Sequence, residues 1–438
     1  MKYSNFNEIF KPVLKYTKLL SLKSILLFLM FSCGLKAHLF KNKAELQGID
    51  NSEVITEADE EAGEESSDRP SRHLVPILGG ERLNLYIDSL QGKRVAVVGN
   101  QTSMVGKTHL VDTLLSLGIR IQKVFSPEHG FRGDADAGEK VYNGIDVKTG
   151  LPLISLYGNN KKPKASQLED VDVVIYDIQD VGVRFYTYIS TLHYVMEACA
   201  ENNKPLIVLD RPNPNAHYVD GPVREPEFKS FVGMHPVPVV YGMTIGEYAL
   251  MVNDECWLSD SIHCDLRIVP CKNYTHKSKY ILPVPPSPNL RSETAVSLYP
   301  SLCFFEATSV SVGRGTERPF EMFGHPYFPG TDFSFTPIPS FGAKNPLWEN
   351  RLCQGYDLHN VIKKRTYEIN LNWMMEAKSL LGDSIEFINQ PSFFDRLAGT
   401  SELRKQINGG WTPKEIRNSW KPGIQEFRKI RTKYLLYE

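Results

Sequence analysis

A short segment of the chain, residues 126–133 (Ser-Pro-Glu-His-Gly-Phe-Arg-Gly), combines groups suited to acid–base chemistry with residues that fix the backbone. Glu128 and His129 directly follow an apolar, β-branched run, so a rigid strand would hold both side chains in place. The proline restricts the approach, and the two glycines permit backbone angles that other residues avoid. This pattern is typical of a catalytic carboxylate. The structural alternatives are an ion pair of Glu128 with Arg132 or Arg184, and a backbone hydrogen bond made by His129.

Three further loops carry polar side chains where a predicted strand ends, at residues 99–103, 177–188 and 210–215. The carboxyl ends of parallel strands lie at one edge of a sheet, where loops converge and helix N-termini expose free amide groups. We therefore expect these loops to form one polar crevice with the loop of Glu128. The candidate site residues in the four loops are Asn100, Glu128, His129, Arg132, Glu139, Asp180, Arg184, Tyr186, Tyr188, Asp210 and Asn213.

Most of these candidates also have a structural interpretation. Two acids, Asp177 and Asp180, lie where one predicted strand ends, and Asp180 is the better placed to project into the crevice. Tyr186 and Tyr188, beside Arg184, could bind a sugar ring that bears a carboxylate, or they could pack against the sheet. Asn213 lies between two prolines and could contact a ligand or form a turn.

The elements that position these loops alternate between strand and helix from residue 75 onward. Short β-branched runs bounded by Gly, Pro, Asn or Asp predict buried strands, and apolar residues three and four apart predict helices. This alternation implies right-handed crossovers and an α/β fold with a Rossmann-like, doubly wound parallel sheet. The predicted strands are 95–98, 121–125, 153–156, 173–176 and 206–209, and the clearest predicted helices are 109–117 and 188–200.

The N-terminus has the composition of an export signal. Lysines precede a short apolar run that ends at Ser32, and this run is far shorter than the ~20 residues that a membrane-spanning helix needs. Cys33 follows at once, as in a lipoprotein signal, although the preceding phenylalanine is bulkier than that signal prefers. Residues 1–33 are therefore predicted to direct export to the periplasm, with lipidation of Cys33 and simple secretion both open.

Composition divides the rest of the chain into three parts. Residues 34–74 are polar and acidic and predict a disordered tether. Residues 75–282 contain the strand–helix alternation and predict the catalytic domain. Residues 283–438 begin with a proline-rich crossing and predict a smaller C-terminal α/β domain that closes the cleft. The six cysteines after Cys33 permit disulfides without requiring them.

Charge and motif spacing argue against several classes of partner. The 438 residues include 50 Lys and Arg against 51 Asp and Glu, so the chain lacks the basic field expected of a nucleic-acid-binding protein. No Cys-x-x-Cys pair suggests a metal site. No Gly-x-Gly-x-x-Gly follows the first strand, and Gly99 lies two residues too far from Gly106 for a phosphate-binding loop. We therefore expect no metal and no nucleotide cofactor.

Six ordered motifs, spread over most of residues 75–330, strengthen the functional interpretation. They are Gly99-Asn-Gln-Thr, Ser126-Pro-Glu-His-Gly-Phe-Arg-Gly, Ala137-Gly-Glu-Lys, Tyr176-Asp-Ile-Gln-Asp-Val-Gly-Val-Arg-Phe-Tyr-Thr-Tyr, Leu209-Asp-Arg-Pro-Asn-Pro and Ser311-Val-Gly-Arg-Gly-Thr-Glu. Together they resemble the exo-β-N-acetylmuramidase family of peptidoglycan glycosidases. The resemblance implies a Rossmann-like glycosidase domain with a smaller C-terminal domain. It also implies release of N-acetylmuramic acid from the non-reducing end of cell-wall fragments, without a nucleotide cofactor.

The resemblance makes Glu128 the expected catalytic carboxylate. A glycosidic bond breaks through an oxocarbenium-like state, so one carboxyl group donates a proton while a second group stabilises or attacks the sugar carbon. Asp180 and the 2-acetamido group of the sugar are both open for the second role. Glu139 and Asp180 are neighbouring carboxylates that could raise the pKa of the acid.

The last motif places two further candidates in the C-terminal domain. Arg314 and Glu317 could close the cleft, since the planar fork of an arginine suits the lactyl carboxylate of muramic acid. An interdomain salt bridge is the plainer interpretation of the pair. A non-catalytic lipoprotein that only binds muropeptides is the alternative to the enzyme as a whole.

Overall fold

The computed structural model describes residues 75–128, 130–133, 143–361 and 365–438. The predicted export signal, the tether and the candidates Cys33, His129 and Glu139 lie outside the described residues. The described part of the chain belongs to one compact unit that extends to residue 438. None of its helices has both the length and the apolar character needed to cross a membrane.

A seven-stranded sheet forms the centre of the fold. The strands up to residue 269 are β1 (Arg94–Gly99), β2 (Met104–Val105), β3 (Thr108–His109), β4 (Arg120–Ser126), β5 (Gly144–Ile145), β6 (Pro152–Ser155), β7 (Val173–Asp177), β8 (Leu206–Leu209) and β9 (Leu266–Val269). The order in the sheet is β5-β6-β4-β1-β7-β8-β9, and β2 pairs with β3 in a separate hairpin. Strand β5 is antiparallel to β6 at one edge, and the other neighbours are parallel.

The six parallel strands have the order of a Rossmann fold. If these six strands are numbered along the chain, their order across the sheet is 3-2-1-4-5-6. The predicted α/β class and the five predicted strands are therefore confirmed. The strand order reverses between β1 and β7, which is the switch point of the sheet. Ligands of such sheets bind in the crevice outside the carboxyl ends of these two strands.

Both faces of the sheet are covered, which explains why its strands are continuous apolar runs. In β1, Val95 and Val97 belong to one core, whereas Ala96 and Val98 belong to the other. The helices of this part are α1 (Ile87–Leu90), α2 (Leu110–Ser116), α3 (Ala165–Leu168), α4 (Tyr188–Glu201) and α5 (Ile245–Asp254). Helix α2 packs in the first core, and α4 and α5 pack in the second.

The chain beyond β9 builds a second, mixed region. Its elements are α6 (Glu293–Leu302), β10 (Met322–His325), β11 (Phe333–Phe335), β12 (Cys353–Asp357), α7 (Asn372–Leu381), α8 (Pro391–Ala398), α9 (Glu402–Asn408) and α10 (Pro413–Arg431). The three strands form an antiparallel sheet in the order β10-β12-β11. Most apolar side chains of this region join the core that also contains α4 and α5, and Met322, Phe335 and Cys353 of the small sheet form a separate cluster. The two parts of the chain therefore share one hydrophobic core.

The C-terminal tail returns to the central sheet. The hydroxyl group of Tyr437 donates to Asp210, directly after β8, at 2.6 Å, and the amide of Leu436 donates to Glu247 at 2.8 Å. Glu247 also caps α5 by accepting from the amide of Thr244 at 2.9 Å. One buried carboxylate thus holds the start of a helix and the end of the chain. The six cysteines of the described region are unpaired, and five of them are buried.

Candidate active site

Glu128 lies beside the switch point of the sheet. It follows β4, which pairs with β1 through Phe125 and Val98. Glu128 is partly buried, and Tyr157, which follows β6, is hydrogen-bonded to it. Burial and the negative charge of Glu128 raise the pKa of Tyr157 well above its ordinary value. The phenol therefore stays protonated and acts as a donor to the carboxylate.

A second phenol, that of Tyr188, links Glu128 to the loops at the switch point. The side-chain amide of Asn100 donates to the Tyr188 hydroxyl group at 3.0 Å, and its oxygen accepts from the amide of Thr102 at 2.9 Å. Burial raises the pKa of Tyr188, and the negative charges of Glu128 and Asp180 raise it further. The loops after β1 and β7 therefore meet at one hydroxyl group, and the convergence of all four loops in one crevice stays a prediction.

Asp180 holds the loop that follows β7. Its carboxylate accepts from the amide of Gly182 at 2.7 Å and from the hydroxyl group of Tyr241. The other oxygen, Oδ1, is buried without a hydrogen-bond partner among the described residues. Burial raises the pKa of Asp180 to about 6. Because only 3% of Asp180 is exposed, this geometry favours a positioning role, and direct participation in catalysis stays a prediction.

Arg184 does not face the crevice, which corrects the expectation of a substrate contact. It is fully buried, and its guanidinium group donates to the carbonyl groups of Pro222 at 2.8 Å, Val237 at 2.6 Å and Leu397 at 2.9 Å. Burial lowers the pKa of Arg184 to about 9. Because Leu397 belongs to α8, Arg184 joins the loop after β7 to the C-terminal region.

The tyrosine pair also differs from the expected sugar platform. The hydroxyl groups of Tyr186 and Tyr188 donate to the carbonyl oxygen of Pro286 at 2.7 and 3.4 Å, and the two rings pack edge to face with centroids 4.9 Å apart. Both rings are buried. The pair therefore anchors the proline-rich crossing to the switch point and presents no open ring face to a sugar.

Asp210 and Asn213 also differ from the expected contacts with substrate. Asp210 is buried and accepts from the hydroxyl groups of Thr244 at 2.7 Å and Tyr437 at 2.6 Å, and burial raises its pKa to about 6. The side-chain amide of Asn213 donates to the carbonyl oxygen of Met243 at 2.8 Å. Both residues are occupied in shaping the loop after β8, so the turn interpretation describes Asn213 better than a ligand contact.

Arg132 anchors the loop of Glu128 to its surroundings. Its guanidinium group makes two hydrogen bonds of 2.8 Å to Asp146 and a contact of 3.2 Å to Asp112 on α2. The arginine lowers the pKa of Asp146 to about 2. The described partners of Arg132 are thus the carboxylates that hold this loop, and its expected contact with substrate stays a prediction.

Arg314 and Glu317 lie in the C-terminal region, as predicted, but they do not form a pair that spans the two regions. The guanidinium group of Arg314 bonds to Glu306 at 2.9 Å and stacks over the ring of Phe320, 5.1 Å from its centroid. Glu317 is exposed. The ion pair of Arg314 lies instead within residues 283–438 and stabilises this region.

Sequence reasoning missed an ion pair and a hydrogen-bond partner. Asp177, the last residue of β7, accepts from Arg211 at 2.6 and 2.9 Å, and both side chains are buried. Tyr157, the partner of Glu128, follows β6, and the residues directly after this strand include no acid and no arginine. Applying the strand-exit rule to every strand would have included Tyr157. Among the described residues, no three His, Cys, Asp or Glu side chains cluster closely enough to hold a metal ion.

The fold and the site together define a class of protein. A Rossmann-like sheet presents a partly buried carboxylate beside its switch point, hydrogen-bonded to the phenol of Tyr157, and a hydrolase that uses a carboxyl group as its acid needs such a group. Comparison with known families specifies the class further. The family models described as exo-beta-N-acetylmuramidase NamZ, N-terminal and C-terminal, match residues 95–294 and 297–437. The chain therefore belongs to the exo-β-N-acetylmuramidase NamZ family, which confirms the resemblance.

Individual relatives agree with this assignment. The chain is 40% identical over 372 residues to the peptidoglycan beta-N-acetylmuramidase NamZ of Bacillus subtilis (strain 168), covering 80% of this chain and 89% of that protein. Crystal structures of two DUF1343 family proteins from Bacteroides fragilis NCTC 9343 are also similar. One is 46% identical with a TM-score of 0.77 and the other 32% identical with a TM-score of 0.72. Each match covers 83% of this chain and 99% of the other.

Proposed function

We propose that this protein is an exo-β-N-acetylmuramidase, a glycoside hydrolase that releases N-acetylmuramic acid from the non-reducing end of peptidoglycan fragments. Glu128 is the general acid in this proposal. The observation that carries it is the position of Glu128, beside the switch point of a Rossmann-type sheet and hydrogen-bonded to Tyr157, in a chain of the NamZ family.

The proposed reaction uses few groups of the protein. The bond between the anomeric carbon and the leaving oxygen breaks, Glu128 gives its proton to that oxygen, and water supplies the hydroxyl group of the released sugar and the proton that returns to Glu128. Tyr157 and Tyr188 stay protonated throughout, because burial raises the pKa values of both phenols. Tyr157 orients the carboxyl group, and Asn100 holds Tyr188 in place. Asp180 or the 2-acetamido group of the sugar assists at the anomeric carbon.

Two defined disaccharides test the proposal. An exo-muramidase cleaves N-acetylmuramyl-β-1,4-N-acetylglucosamine and spares the disaccharide in which the two sugars are reversed. We expect Glu128→Gln to lose about 100-fold or more of kcat, the usual range for a general acid, while Glu169→Gln, at an exposed glutamate after α3, serves as the matched control. Cleavage of the reversed disaccharide would contradict the assigned bond. Binding of the fragments without turnover by the wild type would support a non-catalytic binding protein instead.

We also propose export and a role in recycling cell-wall fragments. The sequence supports export through the lysine-rich start and the apolar run before Cys33. Fractionation of cells that express the full chain tests this: the lipoprotein alternative predicts that Cys33→Ser moves the protein from the membrane fraction to the soluble one. An unchanged soluble periplasmic protein in both cases would favour simple secretion.

A further inference from the structure

A cavity of about 350 Å³ opens beside the loops of the switch point. One wall contains Pro286, whose carbonyl oxygen accepts from the hydroxyl groups of Tyr186 and Tyr188, in the segment after β7. The side-chain amide of Gln101, in the loop after β1, donates to the same carbonyl oxygen at 3.3 Å. This wall is therefore hydrogen-bonded to both loops of the switch point, where ligands of such sheets bind. The volume of the cavity lies in the range of small-molecule sites, roughly 300 to 1,000 Å³.

The walls of this cavity carry an excess of positive charge. Lys279, Arg291 and Arg365 line it, together with one acid, Glu293. The ammonium group of Lys279 pairs with Glu293 at 2.8 Å, which leaves the charges of the two arginines. Burial lowers the pKa of His217, another lining residue, to about 4, so this imidazole is neutral near neutral pH. The cavity thus presents two guanidinium charges.

Neither guanidinium group uses its charge in a described ion pair. Arg291 donates to the carbonyl oxygens of Pro288 at 2.6 Å and Phe341 at 2.9 Å. Arg365 donates to those of Lys277 at 2.7 Å and Ser278 at 2.9 Å. Carbonyl oxygens fix the orientation of a guanidinium group without neutralising it. Burial lowers the pKa of Arg365, so its charge is partly dehydrated, and a bound anion would compensate for the lost hydration.

The remaining walls are apolar and suit an organic anion. Ile281, Leu282, Leu290 and Val296 line the cavity beside the two arginines. A planar guanidinium group binds both oxygens of a carboxylate, and the aliphatic side chains accommodate the carbon skeleton that carries it. The charge and the apolar lining together suit a short aliphatic substituent that carries a carboxylate.

We propose that this cavity binds the carboxylate-bearing substituent of the muramic acid ring, with Arg291 and Arg365 as specificity-determining residues. The proposal rests on the proposed function. N-acetylmuramic acid differs from N-acetylglucosamine by its lactyl ether, so a subsite for this anion discriminates between the two cell-wall sugars. The carboxylate is either that of a free lactyl group or that of a short peptide attached to it.

Kinetics with three chromogenic glycosides test the subsite. They are the 4-nitrophenyl β-glycosides of N-acetylmuramic acid, of its lactyl carboxamide and of its lactyl-dipeptide. We expect Arg291→Gln and Arg365→Gln to raise KM for the free acid by roughly tenfold or more, as for loss of a charge-assisted hydrogen bond. The carboxamide should be nearly unaffected by either substitution. Arg428→Gln is the matched control, because Arg428 is exposed on α10 and does not line the cavity.

The outcomes are distinguishable. A loss with the free acid assigns the lactyl carboxylate to the cavity, and a loss confined to the dipeptide assigns the peptide carboxylate. Variants whose KM values for both the acid and the dipeptide, each taken relative to the carboxamide, equal those of the wild type overturn the proposal. Wild-type protein that hydrolyses none of the muramic glycosides refutes the proposed function itself. If Arg365→Gln fails to fold, Arg365→Lys, which keeps the charge and loses the fork, replaces it with an expected intermediate KM.

Discussion

The buried carboxyl group of Asp180 gives the stability of the protein a specific dependence on pH. Burial raises its pKa from 3.8 to about 6. Between these values the folded protein keeps a proton on Asp180 that the unfolded chain has released. The contribution of this proton to the free energy of unfolding is therefore complete below about pH 4 and is lost as the pH rises through about 6. Asp180→Asn removes this proton and should remove the dependence.

The magnitude follows from the shift in pKa. One pKa unit corresponds to about 1.4 kcal/mol, so the whole effect is about 3 kcal/mol. From about pH 4.5 to about pH 7.5, the free energy of unfolding of the wild type should fall by about 2 kcal/mol relative to Asp180→Asn. Any constant cost of placing an amide beside Gly182 and Tyr241 cancels, because only the change with pH is compared.

Denaturant unfolding of both proteins across this pH range measures the difference. Tyr241→Phe is the informative companion variant, because the Tyr241 hydroxyl group lowers the pKa of Asp180 by bonding to its ionised form. Its loss should shift the fall in stability to higher pH. A difference between wild type and Asp180→Asn that stays constant with pH would refute the argument that a buried proton sits on this carboxyl group.

Three further predictions concern residues with buried or shared partners. Asp177→Ala leaves Arg211 buried without its partner and should lower the free energy of unfolding by about 3–5 kcal/mol; denaturant melts should show a smaller loss when Arg211→Met is added, and equal losses would contradict the ion-pair explanation. Tyr157→Phe removes the hydrogen bond to Glu128 and should lower kcat roughly tenfold without changing stability much; unchanged kcat would exclude an orienting role. Arg184→Met leaves three carbonyl groups without a donor and should destabilise the protein by several kcal/mol, whereas a change in KM alone, measured on folded protein, would restore the substrate-binding interpretation.

The sequence was sufficient to predict five of the seven strands of the central sheet and the position of Glu128 after one of them. Continuous β-branched runs indicate strands buried on both faces, and a strand of this kind before Glu128 places it at the carboxyl edge. Strand β9 was not predicted, because its four residues (Leu266–Val269) include a charged side chain and lie at the edge of the sheet. Short edge strands leave little periodic signal.

The functions of individual polar residues were less predictable. Arg184 and Asp210 lie in loops at the right edge, yet their partners include Leu397 and Tyr437, which are 213 and 227 positions away in the chain. A charged residue near a strand exit has the same sequence pattern whether it faces solvent or binds a distant carbonyl group. Only the three-dimensional packing distinguishes the two cases.

The bond between Tyr437 and Asp210 has a consequence for biosynthesis. Asp210 is translated near the middle of the chain, and the hydroxyl group that completes its coordination is translated far later. The buried carboxyl group of Asp210 therefore lacks one of its hydrogen-bond donors until the last residues of the chain have left the ribosome. We expect the segment around Asp210 to complete its folding only after synthesis ends.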